Sequence, residues 1–548
     1  MKKITLFLYT LLIALTATAQ PSDVQKAAKA VLSLTTFDQA GNILGSSYAV
    51  CIGPNGEAVS TWKPFIGAAK AVVVDAEGKQ MNVKSVFGAS ELYDICKFRV
   101  DGQPASAPVA TAAQTAGSKA WLVNYSVKKA KCKQYSIASV EKFSEKYNYY
   151  LFSEDFKENM AGCPMVNDRG QVIGIVQPGE KASATDAAFA AAFEPKGLSI
   201  NDAVLRTTNI RVALPKDLND AQLMFMISSE KRDSALYMAY AEEFVQQFPG
   251  NIDGYSAQAQ AHMLAGQYAQ ADDCMQKAIA NCTHKDEAHS SYAQLISQKL
   301  LLEPDSTYPS WTLQKALSEA QQASQINPLP IYEHQQAQII YNMGDTQKAY
   351  DMFMKLTDSN IRSGELYYEA ARCKMVQNAP QEEIITLLDS AVSVQGNNQT
   401  AAPYYFARGQ YYDNIGKPRK AIADYNKYDT LMLGRASHQF YYIKYKCESK
   451  IHQYQQALND IAHAVVLNRT EPTYYAEMAS LQLKVNQLED AIRTCDLCLH
   501  IDSEYADPYI IKGVALAQLN RKDEALQALQ KAKDLGDERA EPLIEKYK

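Results

Sequence analysis

Histidine is missing from the first 261 residues of this 548-residue chain; all eight histidines lie at or beyond His262. Chemistry that needs an imidazole as base is therefore excluded from that stretch on its own residues. A basic excess is missing too. The chain has 55 Lys and Arg against 61 Asp and Glu, a net charge of −6, so no electrostatic footprint for nucleic acid is present. No charge block marks a disordered tail. No stretch reaches the roughly 18 apolar residues of a membrane-spanning helix. Nothing in the sequence implies a cofactor.

What is present begins with a short export signal over residues 1–19. Lys2 and Lys3 give the charged start, Leu6 to Leu15 the apolar run, and Ala17-Thr18-Ala19 the small-residue cleavage site. The expectation is an exported protein starting near Gln20, in the periplasm or cell envelope or secreted. No cysteine follows the cleavage site to carry a lipid. Composition is ordinary for a globular chain, 47% hydrophobic and 21% charged, and the length calls for at least two domains. The ten cysteines are scattered. Cys51 and Cys96 sit inside apolar strand patterns, and most of the ten read as small core residues rather than cystines.

From about 29 to 194 the hydrophobic period is mainly two, punctuated by turns such as Pro54-Asn55-Gly56. Strands are expected at 31–36, 45–52, 71–74, 81–87, 95–100, 120–124 and 171–177. Many short strands at even spacing indicate a barrel or sandwich. One stretch organises this region: Asn159-Met160-Ala161-Gly162-Cys163-Pro164-Met165, followed by Val172-Ile173-Gly174-Ile175. It resembles the nucleophile loop of trypsin-like serine proteases of the periplasmic heat-shock type, Gly-Asn-Ser-Gly-Gly-Pro-Leu. Three further segments fall in the family's order. They are Gly45-Ser46-Ser47-Tyr48-Ala49-Val50, Ser60-Thr61-Trp62-Lys63-Pro64-Phe65-Ile66-Gly67-Ala68, and Tyr93-Asp94-Ile95-Cys96-Lys97-Phe98. The resemblance covers about 29–206 and implies a trypsin-like double barrel, taken here as the domain 20–212.

The same resemblance places the triad positions on Lys63, Asp94 and Ala161. Only the aspartate is of the required type. An alanine methyl cannot attack a carbonyl, and a lysine stands where the histidine base belongs. Lys63 is expected either to pair with Asp94 or to be solvated. Cys163, two residues beyond the serine position, is the alternative nucleophile; it would need a depressed thiol pKa. Asn159 and Met160 replace the family's Gly-Asn lead-in, which weakens the oxyanion hole that the turn would otherwise form.

Beyond about 212 the period changes to 3.6. A helix pair is expected at 218–229 and 233–248. A unit of about 34 residues then recurs. Gly266, Gly344, Gly416, His452, Asn486 and Asn520 each precede an alanine by five residues: Ala271, Ala349, Ala421, Ala457, Ala491 and Ala525. This resembles the tetratricopeptide repeat, whose helices cross closely where the side chain is small. Degenerate copies centre on Ala316–Ala323 and Ile384–Ala391. About eight repeats over 252–535 and a capping helix at 537–548 make up a second domain, 213–548.

In such arrays the first helices line the concave groove. Tyr255, Tyr405, Tyr412, Tyr441 and Tyr475 are the candidates there for contact with a protein or peptide. Cys495-x-x-Cys498 falls on inward repeat positions and reads as packing. The scattered histidines show no metal-ligand spacing. The expected function is an exported, non-catalytic adaptor, a protease-like barrel domain joined to a binding groove. The rival is an active peptidase of that fold, serine-type or dependent on Cys163.

Overall fold

The computed structural model describes residues 20–548 apart from 129, 131, 157, 178, 180, 305–307 and 397; the expected signal over 1–19 lies outside the described residues. By packing, the chain forms two compact units, 1–291 and 292–548.

In the first unit, strands β1 (Val31–Phe37), β2 (Ile43–Cys51), β3 (Glu57–Ser60), β4 (Lys70–Val74), β5 (Gln80–Ser90) and β6 (Ile95–Val100) close into a barrel in the order β1-β2-β3-β6-β5-β4. Strands β7 (Lys119–Val123), β8 (Cys132–Phe143), β9 (Tyr147–Phe152), β10 (Pro164–Val166), β11 (Val172–Gln177) and β12 (Ser183–Asp186) close a second, in the order β7-β8-β9-β12-β11-β10. The permutation is the same in both. Closure removes the exposed edges that an open sheet would offer to other chains.

The period-two reading finds seven of these strands and misses β3, β8, β9, β10 and β12. Four residues in β3 and three in β10 are too few to show a period. Strand β8 puts Lys133, Glu141 and Lys142 among its residues and is only sparsely buried. In β9, aromatic residues stand on both faces, which blurs the alternation, although the burial itself alternates strictly. Strand β12, Ser-Ala-Thr-Asp, is buried throughout without an apolar pattern.

The core of the first barrel does not end at its strands. Leu34, Phe65, Val86 and Phe98 continue into Val212 and Leu214, then into Met224 and Phe225 of α3 (Leu218–Glu230, numbered after the short helices α1, Ser22–Ala27, and α2, Ala187–Ala191). The core reaches Tyr240 and Phe244 of α4 (Ser234–Gln247). Val86 and Arg211–Ala213 exchange backbone hydrogen bonds, Val86 N to Arg211 O and Ala213 N to Val86 O, both at 2.8 Å. Tyr240 donates its hydroxyl to Val212 O at 2.9 Å. An ionic chain seals the junction: Glu57 takes Lys97 at 3.1 Å and Arg99 at 3.4 Å, and the nearly buried Glu243 takes Arg211. The hydrophobic period changes at 212, yet compactness does not divide the chain there, because α3 and α4 bury their apolar faces on the barrel.

The helices after α4 repeat one local solution. The six turn residues picked out by spacing all have positive φ, between 60° at His452 and 90° at Gly344. Asn378 adds a seventh at 53°. At each, two amides fold back on the helix just ended; Gly416 N donates to Asp413 O at 3.0 Å and Lys417 N to Tyr412 O at 2.8 Å. Such a left-handed cap satisfies carbonyls the helix end leaves open. The six alanines five residues on are fully buried, as are Phe353, Tyr425, Ile461, Cys495 and Leu529 one turn further. Ala316, Ala320, Ala323 and Leu388, from the degenerate copies, are equally buried. All ten cysteines are free thiols and nine are buried.

Candidate functional site

The positions read from the sequence as a triad, Lys63, Asp94 and Ala161, lie on two loops, Lys63 beside Asp94 and Ala161 against β2. After β3 the chain makes a short turn, Lys63–Phe65. Trp62 and Phe65, both buried, stack at 5.7 Å and fix that turn to the first core. The turn aims two amides at Asp94. Its Oδ1 accepts from Trp62 N at 2.9 Å and Lys63 N at 2.8 Å. Asp94 itself adopts φ of 42° in the turn before β6, a conformation Asp tolerates better than most residues. Its carbonyl accepts from the Gln177 side chain at 3.0 Å. Its second carboxylate oxygen is buried and has no hydrogen-bond partner among the described residues. A triad aspartate orients its histidine by such a bond, and here no imidazole is available.

Lys63 and Asp94 do touch, but only through the backbone amide. The Lys63 side chain is exposed, and no ion pair joins it to Asp94. The solvated alternative is the one the structure adopts. The physical reason is desolvation: an ammonium drawn to a nearly buried carboxylate would lose its hydration.

The other half of the seam is the Asn159–Pro164 loop. Ala161 O accepts from Tyr48 N of β2 at 3.0 Å. Gly162 has φ of 82°, and a Cβ there would stand 1.9 Å from Tyr48 O. The same carbonyl accepts from Ser60 Oγ at 2.6 Å. The loop is thus clamped to the first barrel by backbone approach. Gly162 N donates to Val176 O and Cys163 N to Met160 O, each at 3.0 Å, so these two amides face protein carbonyls rather than a substrate oxygen. Cys163 is fully buried in the second core with Leu122, Met165, Ile173 and Val176. Burial pushes its thiol well above the usual range. Burial thus disfavours the thiolate, the form a nucleophilic cysteine needs. Tyr48 stacks on Tyr125 at 6.2 Å beside the loop. Tyr48 lies in one of the quoted segments, but nothing in its residue type marked it as the anchor of the seam.

The structure places each of the tyrosine candidates. Tyr255, Tyr412, Tyr441 and Tyr475 are buried; Tyr405 is half-buried. Two of them share a structural task. Tyr255 donates to Pro249 O at 3.3 Å and Tyr475 to Arg469 O at 3.1 Å, six residues back in each case, and Tyr509 does the same to Ser503 O. A phenol at the start of the first helix therefore ties down the preceding connection. Tyr441 donates to Asp429 at 2.8 Å; burial first and this carboxylate second push its hydroxyl up to about 12. Tyr412 lies under Lys420, 5.3 Å from the ring centroid, and Arg408 sits 5.5 Å from the Tyr405 ring. Cys495 and Cys498 are both fully buried.

The structure also gathers residues the sequence keeps apart. His334, in the helix Pro330–Asn342, meets Glu365 and Glu369 of the helix Gly364–Val376, with one ligand atom of each within 4.8 Å of the others. Thirty-one residues separate His334 from Glu365, and no local spacing rule links them. Only the packing of successive first helices does.

Residues 402–431 and 506–535 match the tetratricopeptide-repeat family model. An 83-residue stretch is 35% identical to the TPR repeat-containing thioredoxin TDX of Arabidopsis thaliana, covering 15% of this chain and 22% of that protein. The chain thus spans about a fifth of the length of that curated relative. Similar solved structures include a protease from M. tuberculosis in its active form (TM-score 0.28, 15% identity, 32% of this chain and 86% of that one). Another is the serine endoprotease from Yersinia pestis (TM-score 0.28, 17% identity, 35% and 68%). The double barrel itself rests on its own strand pairing, and a long helical tetratricopeptide-repeat region follows it. Among the described residues no helix is long and apolar enough to cross a membrane.

Proposed function

We propose that this chain is an exported binding protein whose barrel domain keeps the frame of a peptidase site without its reactive groups. Its helical repeats hold a protein or peptide partner. One observation carries the reading: the barrel pair contains no histidine, and the loop that resembles a protease nucleophile loop has an alanine, Ala161, at the serine position. The burial of Cys163 supports it, since a protonated core thiol offers no replacement. Stacked helical repeats bury their apolar faces on one another and leave extended surfaces for recognition. Fold alone does not give function, so the test must be chemical. The purified mature chain is incubated with an unstructured protein, beside Cys163→Ser and Asp94→Ala. The expected result is no cleavage above the controls. Cleavage abolished by Cys163→Ser would overturn the reading and make the barrel domain an enzyme.

A further inference from the structure

We propose that His334, Glu365 and Glu369 form a binding site for one divalent transition-metal ion of the zinc class. The site does not depend on whether the barrels are catalytic. Glu365 and Glu369 stand four residues apart and so share one face of their helix. His334 comes from the preceding first helix, its Nε2 2.5 Å from Glu369 Oε2. An imidazole nitrogen with two carboxylates is the donor set that suits zinc, iron or nickel rather than calcium or magnesium.

The surroundings already hold two of the ligands. Gln338 donates to Glu369 Oε1 at 2.7 Å, the kind of outer contact that orients a ligating carboxylate. Phe353 lies edge-on to the imidazole at 5.8 Å. His334 and Glu369 are about nine-tenths buried, so their rotamers are set by packing.

The third ligand and the charge balance point to a missing cation. Glu365 is exposed and makes no hydrogen bond or ion pair among the described residues. The three groups carry two carboxylates against one imidazole, and the His334–Glu369 contact is the ion pair made within the set. No Lys or Arg pairs with any of the three among the described residues. The excess is felt nearby: after burial, Glu365 and Glu369 push the Tyr404 hydroxyl above its usual range. A divalent ion would sit between His334 and Glu369 and draw in the exposed Glu365. Three protein ligands leave a fourth position for water or a partner's side chain.

The test titrates the metal-stripped full chain with zinc chloride by calorimetry, and with cobalt chloride for the visible bands of bound cobalt. The expected result is one equivalent bound, with affinity falling as the pH drops and the imidazole protonates. His334→Ala should abolish binding. Glu365→Gln should weaken it at least about tenfold, the low end of the loss from even an outer-shell partner, while His438→Ala leaves it unchanged. Glu365 is exposed, so its variant keeps the fold and the test stands even if His334→Ala does not fold. Absence of binding by the natural chain would overturn the proposal. So would equal binding by Glu365→Gln.

Discussion

The barrel seam and the helical repeats both depend on residues in the left-handed region, and they use them in opposite ways. At the seam, Gly162 lets one backbone approach another so closely that any side chain would collide with Tyr48 O. In the repeats, Gly416 has φ of 72° and nothing within 4 Å of where a Cβ would lie. The first glycine answers a tertiary contact; the second answers only the end of its own helix. A positive φ by itself therefore says nothing about function, and the neighbouring atoms decide what the residue is for.

The largest effect expected follows from that contrast. Gly162→Ala should cost more than about 3 kcal/mol, because strain at positive φ adds to a backbone collision. Denaturant melting of the full chain checks it, and a mild effect would mean the loop is not clamped. Asp94→Ala should cost about 2 to 3 kcal/mol, since it strips two amides of their acceptor near the core. Asp94→Asn retains one acceptor oxygen and should cost less.

A pH effect sharpens the comparison from the helical side. Glu448 is buried beside Asp460 and Lys444. Burial first, then Asp460, raises its carboxyl above the ordinary value of 4.5. The folded chain then keeps a proton that the unfolded chain releases. Stability should fall as pH rises above about 4.5, by at most about 1.4 kcal/mol per pH unit. Glu448→Gln should flatten that slope in melts between pH 5 and 8.

The smallest effect expected is at the open turn: Gly416→Ala should cost about 1 kcal/mol. His452→Gly should gain a similar fraction, because His452 already sits at φ of 60°. If Gly416→Ala matched Gly162→Ala, the distinction drawn between the two regions would fail.

The repeats were legible because their signal is local. The turn residue, the alanine five positions on and the next inward side chain lie within one helix pair, so spacing alone located them. Lack of an imidazole in the barrels was equally plain, since a count needs no fold. Lys63, Asp94 and Ala161 were legible as residue types, but their contacts were not: Lys63 faces water and offers Asp94 only its amide. The contacts of the tyrosines were not legible for the same reason. A phenol at a first-helix position can face a groove or tie down a connection, and Tyr255 and Tyr475 do the second.

The sequence by itself settled the switch from period two to 3.6, the repeat unit and the lack of histidine in the barrels, because each is written in neighbouring or countable residues. Tertiary structure alone decided that α3 and α4 complete the first barrel's core, that Cys163 is buried, and that His334 meets Glu365 and Glu369. Those outcomes depend on which distant surfaces exclude water together, and that is a property of the packed chain rather than of any stretch of it.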